Sequence, residues 1–379
     1  MKRANSEKLR LPKFPCSMGR VKLHPTILLI LAVFVLLLPP SVLAQDEDHQ
    51  PFLPSPVQSV STVPANGDVN PYGVAFVPLH FPRGGAANPG DILVSNFNAK
   101  SNLQGTGTTI VDISATGTQS LFFQSRTPTG LSTALNILRR GFVLVGNFPS
   151  PDGTCGNATP GSILVINSNG KQVGAIADSS INGPWDSALF DEGDSAKFFV
   201  ANGLTGTVVR LDLKVSSSGV SVKSATQIAS GYLHQCDAVT FVDAPTGLVY
   251  DAERDVLYVA SSDDNAVFAV SNAGSTEKDH GTGRIIYQDN VHLHGPLGMI
   301  MAPNGHLVVA NNDAINPDPN QPSEIVEFTV GGKFIKEISV DPNFGGSFGL
   351  AVTVNGDTAR FAAVDDNVPV LLIWTLPLP

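Results

Sequence analysis

From about residue 57 onwards the chain alternates short apolar runs with turn formers. The runs hold four to seven residues rich in Val, Ile, Leu and Phe, and Gly, Pro, Asn and Asp separate them. Runs of this length with turn punctuation predict β-strands. No stretch sustains a helical period, which argues against alternating helices and strands.

One unit recurs along the strands. A Gly- or Pro-containing turn leads into a first apolar strand. A second turn leads to a strand of the form apolar-Val-small-Asn, and two more strands follow. The first copy reads NPYGVAFVP, DILVSN, TTIVDIS. The second, LSTALNIL, FVLVGN, SILVIN, is weaker. The third reads NGPWDSALF, KFFVAN, GTVVRLDL. The fourth, APTGLVYDAERDVLYVASSDDNAVFAV, is the most complete. The fifth reads HGPLGMIMAPNGHLVVANN, SEIVEFTVGGKFIKEI, and the sixth GSFGLAVTVNGDTARFAAVDDN, VLLIWTL. The second strand closes on Asn96, Asn147, Asn202, Ser261, Asn311 and Asp365, spaced roughly 50 to 59 residues apart, within the range of propeller blades. A blade can bury its faces only against other blades, and closing a ring removes the exposed ends. The expected fold is therefore all-β, a six-bladed β-propeller of four-stranded antiparallel blades. The sixth unit runs out of chain after Val370 to Trp374. Val57 to Val63 has no other partner and is expected to supply its fourth strand.

The N-terminus follows a different pattern. Seven basic residues precede Pro25, an apolar run spans Thr26 to Leu38, and small residues end at Ala44. That order is a secretory signal, with cleavage expected after Ala44, and the apolar run is shorter than the roughly 20 residues of a membrane span. Met18 is an alternative start. The expected organisation is a signal peptide at 1–44, a polar Pro-rich tail at 45–56 and the propeller at 57–379. The mature protein is expected to be secreted or periplasmic, without stable membrane insertion. Cleavage removes seven of the 23 basic and one of the 33 acidic residues and leaves a net charge of about −16. This gives no support for a nucleic-acid surface. Cys155 and Cys236 remain, an even pair in an oxidising compartment. They fall in long loops, Pro149 to Pro160 and Gly231 to Asp243, which open on the same face. A disulfide is expected, against the alternative of two separate buried thiols.

The units APTGLVYDAERDVLYVASSDDNAVFAV and GPLGMIMAPNGHLVVANN resemble NHL repeats: Pro-x-Gly, an apolar strand, a polar turn, then Leu-Tyr-Val-Ala or its like and a polar residue. The pattern is shared with gluconolactonase and senescence-marker type propellers and with strictosidine-synthase-like proteins. The resemblance covers most of residues 57–375. It implies the propeller far more specifically than any activity, because one fold hosts many functions.

In such blades the six register residues ring one mouth of the channel. Asn96, Asn147, Asn202, Asn311 and Asp365 offer hard oxygen ligands suited to Ca2+, and the gluconolactonase resemblance implies a divalent cation in this region. Those families also use an acidic residue in an early blade, where Asn96 and Asn147 stand here. The competing reading is that Asn and Asp end these strands by bonding their own turns. Trp185 and Asp186 open blade three and would stack on and orient a ligand, or Trp185 packs between blades. His292 and His294 precede blade five, and His234 lies before blade four. Near a mouth that also carries Asp186 and Asp365, a histidine such as His294 is a candidate general base, and Glu324 would join it in a lyase-like arrangement if the fold brings the two together, against the plainer reading of turn-bonded histidines. Two function classes stand open. One is a scaffold that binds a small molecule, glycan or protein at the channel mouth. The other is a calcium-dependent hydrolase, lactonase or lyase.

Overall fold

A computed structural model of the protein describes Phe52 and residues 58–378. The expected signal segment, and the tail apart from Phe52, lie outside the described residues. Six four-stranded antiparallel sheets form the blades. From the innermost strand outward, blade one is Val69–Phe76, Ile92–Asn98, Thr109–Ile113 and Gln119–Gln124. Blade two is Leu131–Leu138, Phe142–Asn147, Ser162–Asn167 and Gln172–Ile176. Blade three is Pro184–Asp191, Ser195–Asn202, Thr207–Ser216 and Gly219–Ser230. Blade four is Pro245–Asp251, Val256–Ser261, Ala266–Ser271 and Arg284–Tyr287. Blade five is Pro296–Met301, Leu307–Asn311, Glu324–Phe328 and Phe334–Ser339. Blade six is Ser347–Asn355, Thr358–Asp365 and Val370–Pro377, and its outermost strand is Gln58–Ser61, paired from Gln58 opposite Ile373 to Ser61 opposite Val370. Each innermost strand touches the innermost strands of the blades on either side, so the six surround one channel. Among the described residues no helix is long and apolar enough to cross a membrane.

Strand alternation explains the packing. Val143 and Val145 face blade one beside Leu93 and Ile110, while Leu144 between them faces blade three beside Phe198 and Val200. Each blade thus buries apolar side chains on both faces, as a period-two sequence requires. The same arrangement recurs between every neighbouring pair. Phe52, from the segment expected to be polar, docks between blades five and six. Its ring meets Phe361 edge-on at 5.8 Å, and its backbone N–H donates to Glu327 Oε2 at 2.8 Å.

Candidate ligand-binding site

The innermost strands determine the site. Each pairs, at or near its start, with the register residue of its second strand and bulges immediately afterwards. Two residues after the one opposite the register residue stand Gly73, Thr133, Asp186, Gly247, Gly298 and Gly349 in the six blades. Neighbouring blades crowd here. A Cβ on Gly298 or Gly349 would run into the carbonyl of Phe348 or Tyr72 in the next blade. Glycine is therefore needed to keep the ring narrow, which accounts for the Pro-x-Gly signature. Blades two and three depart from it by placing Thr133 and Asp186 at this level.

On one side of the ring the channel is filled. Tyr72, Trp185 and Phe348 come from innermost strands, Phe97 and Phe148 from just after or at the ends of second strands, and Phe241 from a loop. Tyr72 stacks on Phe97 at 4.7 Å and on Phe348 at 4.4 Å, and Trp185 lies parallel to Phe241 at 6.2 Å. Offset and edge-on aromatic contacts at such separations are attractive beyond the area they bury. Phe241 reaches the cluster from a small hairpin, Gln235–Asp237 paired with Phe241–Asp243. Its φ of +73° places a bulky residue in the left-handed region, a local cost offset by its near-complete burial. Cys236 of this hairpin is disulfide-bonded to Cys155 of the blade two loop, with Cα atoms 5.4 Å apart. On the other side, Gln104 of blade one donates to the Val239 carbonyl at 3.0 Å. The expected disulfide is present, and it fastens a cover over the mouth.

On the opposite side of the ring the channel opens. It holds a cavity of about 560 Å³ lined by the innermost strands of all six blades. Its lining mixes aliphatic residues, among them Val74, Leu135, Leu248, Met299 and Leu350, with polar ones such as Thr133, Asn136 and Ser187. The charged side chains lining it are His80, Arg139, Asp186 and Asp191. Arg139 and Asp191 neutralise each other across blades two and three. The Arg139 backbone N–H donates to Asp191 Oδ2 at 2.8 Å, and its guanidinium donates to Asp191 Oδ1 at 3.3 Å. Asp186 has no such partner. Its Oδ1 accepts the Ser187 N–H at 2.7 Å, and burial holds the carboxyl well above the usual range.

The sequence-predicted site residues divide. Asp186 lines the cavity, while Trp185 beside it is 1% exposed in the aromatic cluster, and its Nε1 has no hydrogen-bond partner among the described residues. The ring residues turn into their own blades. Asn202 donates to the Ser180 carbonyl at 2.9 Å and accepts the Asn182 N–H at 2.9 Å, holding the chain that enters blade three. Asn311 does the same for blade five, donating to the His292 carbonyl at 2.7 Å and accepting the His294 N–H at 3.2 Å. Asn96 donates to the Thr62 carbonyl at 3.3 Å, Asn147 accepts from Ser162 Oγ at 2.5 Å, and Asp365 accepts the Asn367 N–H at 3.1 Å. An amide suits this work because it donates and accepts at once. The Oδ1 atoms of Asn147, Asn202 and Asn311 are thus each engaged in a hydrogen bond close to their own strand. Among the described residues no group of three or more His, Cys, Asp or Glu could hold a metal ion.

His292 bonds Asp289 Oδ2 at 2.8 Å and stacks on Phe334 at 3.8 Å, away from the cavity. His294 and Glu324 do come together, with Nε2 and Oε1 3.8 Å apart. Both are buried, and burial followed by the neighbouring Asp313 carboxyl pushes Glu324 up to about 8. The two His294 ring nitrogens face the carbonyls of Asn316 and Val291, so this pair holds a loop and does not open on the channel. Sequence reasoning missed the open end. One signal was available: an aspartate where most blades carry the glycine of Pro-x-Gly.

The fold and site define a six-bladed β-propeller with a channel closed at one end. No family model and no curated protein matches the chain. A calcium-binding regucalcin from Agrobacterium tumefaciens is similar in structure, with a TM-score of 0.50 and 12% identity over 84% of this chain and 95% of that one. A Thermus thermophilus protein described as a glucose dehydrogenase-type oxidoreductase gives a TM-score of 0.49 and 13% identity over 84% of this chain and 99% of that one. A protein described as a gluconolactonase gives 0.49 and 12% over 85% and 94%. At such identity the regucalcin likeness shows the fold alone.

Proposed function

We propose that this protein is an extracytoplasmic binding protein that takes a small, largely apolar molecule into its channel from the open face. The observation that carries this reading is the cavity of about 560 Å³, to which every blade contributes aliphatic residues beside polar ones, and which the aromatic cluster stops at its inner end. Small-molecule sites are typically concave and apolar, of about 300–1,000 Å³, with a few placed polar groups. The disulfide supports a location outside the reducing cytoplasm.

The test is a titration with N-phenyl-1-naphthylamine, an apolar fluorescent probe. The expected result is one saturable site per chain. Thr353→Trp and Met301→Trp, each at the cavity wall, should each weaken it at least tenfold with an unchanged circular-dichroism spectrum. No saturable binding, or binding untouched by both variants, overturns the reading. Calcium enters only through the regucalcin of the same fold. One equivalent of tightly held calcium in the purified protein would move the reading toward a metal-assisted hydrolase or lyase.

A further inference from the structure

We propose that Asp186 makes the channel selective for ligands that carry one protonated amine on an apolar body. The proposal rests on the channel being the binding site, and it adds which chemistry that site takes.

The first support is position. Four of the six blades have glycine at the level of Asp186, where the crowding of innermost strands leaves no room for a Cβ. Blade two has Thr133, whose hydroxyl donates to the carbonyl of Trp185 in blade three. Blade three alone puts an ionisable group there. Asp186 is 9% exposed and lines the cavity.

The second support is charge. Of the charged side chains lining the cavity, Arg139 and Asp191 satisfy each other, and His80 comes from the segment beyond the end of its strand. Asp186 accepts one backbone N–H and forms no salt bridge among the described residues. A buried carboxylate without a cation is costly, and burial raises its proton affinity accordingly. A ligand ammonium would supply the missing partner and a charge-assisted hydrogen bond. A ligand carboxylate would meet like charge in a low dielectric. A neutral hydroxyl would gain only a hydrogen bond.

The third support is the direction of the walls. Moving outward from Asp186 along blade three, the cavity residues include Ser187, Ala188 and Leu189, the innermost strands on either side contribute Leu135 and Leu248, and blade six contributes Leu350. A ligand with its amine at the inner end would therefore lay a hydrocarbon body against aliphatic side chains, each buried methylene contributing about 0.8 kcal/mol.

Competition against N-phenyl-1-naphthylamine tests this with three ligands of equal length: octylamine, octanol and octanoate. Octylamine should displace the probe at concentrations at least tenfold below octanol, and octanoate should be the weakest. Asp186→Asn should abolish the advantage of the amine and leave octanol unchanged. Asp186→Gly, which restores the residue found in four other blades, should do the same and guards against a variant that fails to fold. Asp366→Asn, on the plugged face, should leave the preference intact and so exclude general attraction to an acidic protein. If the amine is no better than octanol, or keeps its advantage in both Asp186 variants, the proposal falls while probe binding still stands. If the probe does not bind, the channel reading falls and this one with it.

Discussion

At one end of the channel the innermost strands begin with Tyr72, Trp185 and Phe348. A few residues further on, the same strands carry Val74, Ala188 and Leu350. The aromatic end is filled, roofed by a hairpin and tied by a disulfide. The aliphatic end is open and hollow. The difference follows from side-chain volume and from the loops. Long connections reach over the first face and bring in Phe241. Blades two, three, four and six border the second face with short turns between their first two strands and leave it uncovered. The face that carries the oxygen-rich register residues is therefore the plugged one, and the opposite face holds the cavity.

Breaking the plug should have the largest effect. Trp185→Ala should cost about 4 kcal/mol of unfolding free energy in a denaturant titration, as large-to-small changes of buried aromatics do. Met301→Ala, at the open end, is half-buried and should cost less than half as much. Equal losses at the two ends would show that the plug has no special role.

The disulfide comes next. Replacing Cys155 and Cys236 together by Ser should cost about 3 kcal/mol, since the bond closes a long loop. The loss should appear as a lower denaturation midpoint, while binding of the apolar probe at the open face stays unchanged. A simultaneous loss of probe binding would couple the two ends and contradict their independence.

A smaller effect should come from the turn-holding amides. Asn202→Ala removes bonds to Ser180, Asn182 and Thr207 and should cost about 2 kcal/mol. Adding calcium should not restore it. Restoration by calcium would return the register residues to the role of metal ligands.

The smallest effect is a pH dependence, to which aspartates of the plugged face contribute beside Glu324, pushed up to about 8, and Asp112, pushed up to about 7, both mainly by burial. Burial pushes Asp366 up to about 7, with the Asp365 charge adding to it, and pushes Asp365 and Asp243 up to about 6. Between about pH 4, where free aspartate titrates, and those values, the folded protein holds protons that the unfolded chain has released. Stability from these groups is complete below pH 4 and is lost as pH rises to about 7. The melting temperature should therefore be a few degrees lower at pH 8 than at pH 5, and Asp366→Asn should flatten the slope. A melting temperature that rises over this interval would show that other groups dominate.

The fold was legible in the sequence because a blade is a local object. Its strands pair with their chain neighbours, so turn spacing and apolar alternation suffice to count six of them. The pairing of Gln58–Ser61 with the last blade was legible by elimination, and that of Cys155 with Cys236 by loop length and compartment. Register residues such as Asn202 and Asn311 were found, but their partners were not, since whether an amide faces a channel or its own turn depends on side-chain direction. Nor could the sequence say that Tyr72, Phe97, Phe148, Trp185, Phe241 and Phe348 meet, because they come from four blades and a loop. Their contacts exist only once the ring closes. The same holds for Asp186. As a residue it marks a broken Pro-x-Gly, and only the crowding of six innermost strands makes it a buried carboxyl at the cavity wall with no salt bridge among the described residues.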